Sequence, residues 1–404
     1  MRRRSIPDAG GLRPADRPEA GRRGEDLARG FSSFVSGDGR RALWTGIPRL
    51  DGVIQARGFT QRDSGSLSRG RQHPSRAGSP DGGDLRTPGG SVHHERLRFD
   101  GPVSHDGYEW WYIDALSDDG AYGLTVIAFL GSVFSPYYAG ARRRGAADPL
   151  NHCALNVVLY GRRARRWAMT ERGAAQVRRE PARLVIGPSH VHWDGEALEI
   201  HIHERCAPLP RRLRGKIRLH PGAWPAQSFA LDDAGLHRWT PYAPCARVEL
   251  AFTEPDLRWS GAAYFDSNRG EEPLEDTFTD WTWSRASATD NTVVLYDVGA
   301  RSGARSSFAL QFTARGEVRP MAPPPLMRLP PTGWGVRRQT RADAGSRAQV
   351  LRTLVDAPFY SRSLLETRLG GVSRPAIHES LSLDRFRSRW VQCLLPFRMP
   401  RIAF

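Results

Sequence analysis

From about residue 92 onward, short apolar runs alternate with polar breaks along the chain. Many of these runs are rich in Val, Ile, Tyr and Trp and place apolar side chains at every second position. This alternation is typical of a strand with one buried face, and Asp-Gly and similar turn residues separate the runs. The pattern predicts an all-β fold, built as a sandwich or barrel. Helical periodicity is scarce, and the one stretch that favours a helix is Leu364–Leu369.

One predicted strand carries an acid among aromatic residues. In the sequence AAYFD, which ends at Asp266, alternation places Tyr264 and Asp266 on one face and Phe265 on the other. Burial on an aromatic-lined face disfavours the charged form of a carboxyl group, so its pKa rises. Such an acid can remain protonated near neutral pH and donate a proton to an apolar substrate.

A second short strand upstream has the same spacing, with His237 and Trp239 two residues apart on one face. If the two faces line one cavity, the site combines an acid, an imidazole, a phenol and an indole. Aromatic rings stabilise a nearby cation, and an imidazole can orient water and accept its proton. The set therefore suits protonation of an alkene and capture by water, with no redox cofactor. The alternative is that His237 and Trp239 pack in a core and Asp266 caps a turn.

The run EWWY at residues 109–112 also has two interpretations. Alternation places Glu109 and Trp111 on one face and Trp110 and Tyr112 on the other. These residues form either a core at a domain interface or the entrance for a long apolar substrate. The acidic segment 271–276, further along the chain, is interpreted as a solvated loop.

Two His-x-His pairs raise the question of a metal site. His190 and His192 share one strand face, His201 and His203 share another, and two such pairs on adjacent strands could hold a tetrahedral metal ion. Paired histidines on a solvated strand face are common, and we expect no metal here. The four cysteines are far apart and form no CxxC pair, which favours reduced thiols over disulfides or a cysteine-based zinc site.

Composition changes abruptly near residue 92. Residues 1–91 are rich in Arg, Gly, Ser and Pro, and such a segment cannot bury enough apolar surface to fold. It is predicted to be a disordered extension. The predicted strands that follow are too many for one barrel, so we place a boundary near residue 245. The prediction is an N-terminal β-domain at 92–245 and a C-terminal β-domain at 246–404.

Charge bears on the partners that the protein could bind. The 404 residues have a formal net charge of +16, almost all from arginine. A basic chain favours nucleic acid or an anionic membrane surface, and the absence of a recognition module argues against nucleic acid. The longest apolar run, Gly123–Phe134, is shorter than the roughly 20 residues that span a bilayer, and no secretory signal is visible. The C-terminal segment Phe386–Phe404 mixes Arg with Trp, Leu and Phe, so it either lies at a membrane interface or docks on the barrel.

Several motifs together resemble a known family. From about Val92 to the C-terminus the chain is similar to the acyclic carotenoid hydratases, or hydroxyneurosporene synthases, of phototrophic bacteria. The EWWY element is shared with a broader lipocalin-like superfamily, whereas the YFD element and the C-terminal run are more specific. Residues 1–91 have no recognised counterpart in this resemblance. The motifs are GYEWWY at 107–112, LHRW at 236–239, GAAYFDSN at 261–268, DWTW at 280–283, HESL at 378–381 and WVQC at 390–393.

The resemblance implies two tandem lipocalin-like β-domains that hydrate the terminal C1–C2 double bond of acyclic carotenoids such as neurosporene and lycopene. It implies no cofactor, and its active residues correspond to His237, Trp239, Tyr264 and Asp266. Asp266 would protonate C2, Trp239 and Tyr264 would stabilise the cation at C1, and His237 would help to deliver water. The remaining aromatic side chains of the motifs are expected to contact the substrate: Trp110, Trp111, Tyr112, Phe265, Trp281 and Trp283.

A protein of this kind is expected at the cytoplasmic side of the inner photosynthetic membrane, as a peripheral protein whose partners are an acyclic carotenoid, water and the membrane surface. Two other functions stay open: a non-catalytic carrier of apolar ligands, and a cofactor-free polyene cyclase. A carrier needs no acid, a cyclase yields an isomer of its substrate, and a hydratase adds the mass of one water. The sequence does not reveal the oligomeric state.

Overall fold

The computed structural model describes residues 96–161 and 164–402, and these are folded mainly as β-strands. The all-β prediction is confirmed. The predicted disordered extension, residues 1–91, lies outside the described residues.

The strands in chain order are β1 (Tyr108–Ser117), β2 (Gly123–Leu130), β3 (Cys153–Tyr160), β4 (Arg166–Arg172), β5 (Val177–Glu180), β6 (Arg183–Ile186), β7 (Ser189–Trp193), β8 (Leu198–Arg205), β9 (Arg212–Pro221), β10 (Phe229–Ala230), β11 (His237–Glu254), β12 (Asp256–Gly270), β13 (Phe278–Ser287), β14 (Asn291–Ala300), β15 (Arg305–Thr313), β16 (Val318–Pro320), β17 (Leu326–Leu329), β18 (Arg338–Arg341), β19 (Gln349–Asp356), β20 (Tyr360–Leu369), β21 (Val372–Ser382) and β22 (Arg401–Ile402). The α-helices are short: α1 (Pro136–Arg142), α2 (Leu274–Thr277), α3 (Leu383–Arg387) and α4 (Arg389–Leu394).

A large sheet contains most of the first half of the chain. Its strand order is β22-β4-β3-β2-β1-β12-β11-β9-β8-β7-β6-β5, with β10 paired to β11. The sheet curls, so that β4 contacts β8 and β3 contacts β6. One face encloses an aliphatic core, which we call the barrel core. Alternation along each strand directs every second side chain into it, and its members include Trp111, Ile113, Val126, Leu155, Ile200, Leu219, Phe252 and Phe265.

A second sheet, with the order β16-β15-β14-β13-β21-β20-β19, packs against the other face of the large sheet. We call the layer between the two sheets the inter-sheet core. It is richer in aromatic residues than the barrel core, and both sheets contribute to it. Its large members include Tyr108, Trp110, Tyr112, Trp239 and Tyr264 from the large sheet and Phe278, Trp281, Trp283, Tyr296 and Phe312 from the second.

The structure contradicts one prediction about the chain's organisation and leaves another as a prediction. The predicted helix at Leu364–Leu369 is wrong, because these residues form the end of β20 and pair with β19 and β21 on both sides. Sheet pairing overrides a local helical pattern this short. The predicted boundary near residue 245 falls inside β11, which belongs wholly to the large sheet. The division of the chain into two domains there stays a prediction.

The C-terminal segment docks on the protein. The side chains of Phe386, Val391, Leu395 and Met399 are buried in the inter-sheet core, and β22 adds a parallel pairing to β4. The docking alternative is therefore the one that the structure supports, mostly as helix rather than strand. No helix in the described parts of the chain has both the length and the apolar character needed to cross a membrane.

Candidate active site

Asp266 lies near the centre of the large sheet, on β12 between β1 and β11. Its cross-strand neighbours are Tyr112 on β1 and Pro241 on β11. Tyr264 belongs to the inter-sheet core and Phe265 to the barrel core. The predicted alternation of these residues is therefore confirmed, and it directs the carboxyl group of Asp266 towards the second sheet.

One oxygen of the Asp266 carboxyl group accepts two hydrogen bonds. The Tyr264 hydroxyl donates to Oδ2 at 2.6 Å, and the Trp239 indole N–H donates to the same oxygen at 2.7 Å. The other oxygen, Oδ1, is buried and has no hydrogen-bond partner among the described residues. Asp266 itself is only 3% exposed. Because Oδ2 already accepts two hydrogen bonds, a proton on this carboxyl group belongs on Oδ1.

Burial raises the pKa of Asp266 to about 8. The two hydrogen bonds to Oδ2 favour the charged form and oppose this rise, whereas the negative charges of Glu379 and Asp114 add to it. The carboxyl group is therefore neutral at pH 7. Its acidic proton belongs on Oδ1, which has no hydrogen-bond partner among the described residues. A proton without an acceptor beside it is arranged for donation.

Aromatic rings surround this acid. The Trp239 ring lies 5.3 Å from the Tyr296 ring, and the Tyr264 ring lies 5.2 Å from the Trp283 ring, between ring centres. Asn268, two residues along β12, donates a hydrogen bond to the Tyr296 hydroxyl at 3.0 Å. Electron-rich ring faces are favourable surroundings for a cation that forms next to the carboxyl group.

His237 lies in the inter-sheet core but away from Asp266. It pairs with Gly270, four residues along β12 from Asp266. Its Nδ1 contacts the Tyr108 hydroxyl at 2.8 Å, and its Nε2 contacts the Thr277 hydroxyl at 2.9 Å. Burial lowers the pKa of His237, against the opposing charges of nearby carboxylates, so the ring is neutral at pH 7. The structure thus brings Trp239, Tyr264 and Asp266 together and leaves His237 further along the sheet, opposite Gly270.

An apolar cavity opens between the two sheets, and the C-terminal segment closes part of it. Tyr112 and Trp281 line the cavity and also pack against Tyr264 and Tyr296, two of the rings near Asp266. Asp266 itself does not line it. The other lining residues include Trp110, Ile127, Phe129, Phe134, Asn156, Val158, Tyr160, Trp167, Met169, Phe359, Tyr360, Glu379, Leu381, Val391, Leu395, Arg398 and Met399.

A buried charged cluster lies at one wall of the cavity. Arg362 donates to Glu379 and, at 3.0 Å, to Asp114. Arg285 donates to the other oxygen of Asp114. The Tyr112 hydroxyl donates to Glu379 at 2.9 Å and connects this cluster to the aromatic rings. Each of these five side chains is largely or fully buried.

The aromatic residues expected to contact the substrate divide into two groups. Trp110, Tyr112 and Trp281 line the cavity, and Trp283 packs against Tyr112 and Tyr264. The other two, Trp111 and Phe265, lie in the barrel core on the opposite face of the sheet. Strand alternation directs these two side chains away from the cavity, and their contact with substrate stays a prediction.

Two further sequence interpretations are affected by the packing. The acidic segment 271–276 is not a simple solvated loop, because Leu274 and Glu275 are buried and Glu272 lies 3.7 Å from His237.

Of the histidine pairs, the His190 and His201 rings stack with centres 4.3 Å apart across β7 and β8. Within residues 96–161 and 164–402, no group of three or more His, Cys, Asp or Glu side chains is placed to hold a metal ion.

Sequence reasoning missed most of the charged cluster. Asp114, Arg285 and Arg362 each sit in an otherwise apolar strand, in YIDAL, WSRA and YSRSLL. A charged residue on the buried face of a strand is rare unless it is paired, and this was the available signal. Asp114 meets Arg285 and Arg362 across the two sheets, at sequence separations of 171 and 248 residues, which no local pattern reveals.

The chain is similar in sequence to several named proteins. The sequence model described as "Carotenoid hydratase CrtC" matches residues 126–403. A protein from Thiocapsa roseopersicina named acyclic carotenoid 1,2-hydratase is 55% identical over 370 residues, which is 91% of each chain. Proteins with the same name are 44% identical over 395 residues in Rubrivivax gelatinosus, covering 97% of each chain, and 41% identical over 277 residues in Cereibacter sphaeroides, covering 68% of this chain and 98% of that one.

The match to the Rubrivivax gelatinosus protein corrects one expectation. Since it spans 395 of the 404 residues, it includes most of residues 1–91. The N-terminal extension therefore has a counterpart in at least that relative.

The neutral state of Asp266 has a measurable effect on stability. In the unfolded chain this group ionises near its ordinary pKa, but in the folded chain it stays protonated up to about pH 8, so raising the pH from about 4 to about 8 favours unfolding. The loss approaches about 1.4 kcal/mol per pH unit for one group. Asp266→Asn removes this loss. Its free energy of unfolding, measured by urea denaturation, should exceed that of the wild type by a margin that grows with pH.

Asp256→Asn is the matched control, because Asp256 is an exposed carboxyl group on the same strand. Its difference from the wild type should not grow across this pH range. A difference between Asp266→Asn and the wild type that stays constant with pH would show that Asp266 is ionised in the folded protein, contrary to the geometry of the site.

Proposed function

The chain belongs to the carotenoid hydratase family of enzymes, and from this premise we propose that it adds water across the terminal C1–C2 double bond of acyclic carotenoids such as neurosporene and lycopene. The observation that carries the proposal is the buried Asp266, whose pKa is raised to about 8 and whose Oδ1 has no hydrogen-bond partner among the described residues. An unactivated alkene is a weak base, and its protonation needs a positioned acid and surroundings that tolerate a cation.

In the first step, Asp266 transfers its proton from Oδ1 to C2, and a tertiary cation forms at C1. The carboxylate that remains keeps its two hydrogen bonds from Tyr264 and Trp239, which stabilise the charge that has just formed. Trp239 and Tyr264 both contact this carboxyl group, so their rings lie beside the cation and stabilise it. Trp239 and Tyr264 therefore stabilise both the Asp266 carboxylate and the cation at C1.

The substrate reaches this acid from the cavity between the sheets. The cavity wall is apolar and aromatic, which suits a polyene chain. Tyr112 and Trp281 form part of this wall and pack against the rings near Asp266, so their side chains must shift before an alkene carbon reaches Oδ1. Trp110, beside them, is the third aromatic residue of the predicted set that we propose contacts the polyene.

His237 is proposed to act as a positioning residue. It holds the Tyr108 hydroxyl at 2.8 Å, and the Tyr108 ring stacks on Trp110 with ring centres 4.9 Å apart. This chain of contacts leads from His237 to the cavity wall rather than to Asp266. The separation of His237 from Asp266 along the sheet argues against the role in water delivery that the resemblance implies for His237.

The function is tested by incubating the purified protein with lycopene or neurosporene in detergent, without added cofactors, in water enriched in oxygen-18. We expect a product heavier than its substrate by one labelled water. Activity should fall as the pH rises through about 8, where Asp266 loses its proton. Asp266→Asn should lower the rate by roughly a hundredfold or more, since a general acid contributes about that much, and Asp256→Asn should leave it unchanged.

Other outcomes would identify the alternatives. A product isomeric with the substrate would indicate a cyclase. Tight binding of the carotenoid without any product, unaffected by Asp266→Asn, would indicate a carrier. Hydration by Asp266→Asn at close to the wild-type rate would contradict the assigned acid.

We also propose that an anionic membrane surface binds at the mouth of the cavity. A groove adjoins the cavity and shares Val158, Tyr160, Trp167 and Arg398 with its lining. Leu209, at the rim of the groove, is 62% exposed. Such a leucine can insert among acyl chains, and a carotenoid dissolved in the bilayer would then enter the cavity directly.

Positive charge is concentrated around this groove. Arg165, Arg166, Arg211 and Arg398 all line it. Burial lowers the pKa of Arg398 to about 10, and the charge of Arg165 contributes to that shift. Clustered arginines beside an exposed apolar side chain match the anionic headgroups and acyl chains of a membrane surface. We therefore propose this groove as the membrane contact, instead of the apolar residues of the C-terminal segment, which are buried.

Co-sedimentation with liposomes tests this surface. At low salt, the protein should pellet with vesicles that contain phosphatidylglycerol and remain in the supernatant with pure phosphatidylcholine, because salt-sensitive charge attraction supplies most of the binding. The double variant Arg165→Glu/Arg211→Glu should lose this binding. The control Arg315→Glu/Arg368→Glu makes the same change of net charge at exposed positions and should retain it. Equal binding by both double variants would refute the location.

A further inference from the structure

A second carboxyl group lies at the wall of the cavity, and the steps proposed above do not use it. Glu379, on β21, lines the cavity together with Tyr112 and Tyr360. Its Oε1 accepts hydrogen bonds from the Tyr112 hydroxyl, at 2.9 Å, and from the Arg362 guanidinium group. Its side chain is 14% exposed, so it is not sealed in the protein. Glu379 therefore presents an oriented carboxyl group to the space that receives the substrate.

The Glu379 carboxyl group belongs to a network of buried ion pairs. Arg362 is 2% exposed and also bonds Asp114, while Arg285 bonds the second oxygen of Asp114. Two buried guanidinium groups are thus balanced by two carboxylates.

Asp266 and Glu379 are therefore two carboxyl groups in contrasting surroundings. Asp266 is buried and hydrogen-bonded by two aromatic side chains, whereas Glu379 is ion-paired with Arg362. Tyr112 connects the two, since it is the cross-strand neighbour of Asp266 and the hydrogen-bond donor to Glu379. Environments that hold one carboxyl group protonated and another ionised suit the acid and the base of a single reaction.

The other candidate base is poorly placed. Both ring nitrogens of His237 are engaged, by Tyr108 and Thr277, and the residue lies opposite Gly270 rather than opposite Asp266. Glu379 is at the cavity wall, and His237 is not among the residues that line the cavity.

We propose that Glu379 is the base of the hydration step, an assignment that rests on the proposed function. Asp266 gives its proton to C2, and an oxygen lone pair of a water held by Glu379 and Tyr112 attacks the cation at C1. As the C1–O bond forms, one O–H bond of the water breaks and Glu379 takes that proton. Asp266 ends as a carboxylate and Glu379 as a carboxylic acid, and proton exchange with solvent restores both for the next cycle.

The test separates alkene protonation from water capture. In heavy water, Asp266 carries deuterium and transfers it to C2. A cation that is not captured returns a proton to the Asp266 carboxylate from C2 or a C1 methyl group, which regenerates an alkene that contains deuterium. Glu379→Gln should lower hydration by roughly a hundredfold or more while deuterium still enters the unhydrated carotenoid, as detected by mass spectrometry. Asp266→Asn should lose both signals.

Retained deuterium exchange in Glu379→Gln also shows that the variant is folded and that its acid works. If Glu379→Gln gives neither signal, Glu379→Asp, which keeps the charge, becomes the test and should lose more hydration than exchange. The control Glu366→Gln, an exposed carboxyl group on neighbouring β20, should resemble the wild type. Hydration by Glu379→Gln at close to the wild-type rate, or equal loss of exchange and hydration in Glu379→Asp, would overturn the assignment. Failure of the wild type to hydrate any carotenoid would instead refute the proposed function.

Discussion

The burial of one carboxyl group between two sheets is the constraint on which this site depends. Asp266 costs stability because its charged form is excluded from the inter-sheet core, and this same cost keeps it protonated at pH 7. The Tyr264 hydroxyl and the Trp239 indole both donate to Oδ2, so the proton is left on Oδ1. The packing of the two sheets, rather than any single contact, therefore raises the pKa of this carboxyl group.

The two sheets contribute different halves of the chemistry. The large sheet supplies the neutral acid with its two hydrogen-bond donors, and the second sheet supplies the rings of Trp283 and Tyr296 together with the ion-paired Glu379. The carboxyl groups of Asp266 and Glu379 lie in contrasting surroundings. Here the contrast is between aromatic rings on one side and a buried guanidinium group on the other.

The sequence was sufficient for the strands and for the faces of Tyr264, Phe265 and Asp266, because alternation is a local property. Motif membership did not distinguish Trp111 and Phe265, which lie in the barrel core, from the aromatic residues that line the cavity, since a motif does not specify which face reaches a cavity. The sequence also failed for Asp114, Arg285 and Arg362, whose pairing depends on strands distant in sequence. Resemblance assigned His237 to water delivery, but the strand register keeps it away from Asp266.

Infrared difference spectroscopy of the resting protein tests the central claim most directly, because a protonated carboxyl group has a carbonyl stretching band that a carboxylate lacks. The account predicts such a band at pH 7 in the wild type, its absence from Asp266→Asn, and its loss as the pH rises through about 8. The Asp256→Asn spectrum should retain the band. A wild-type spectrum at pH 7 without a band that depends on Asp266 would show that the buried carboxyl group is already ionised and would contradict the account.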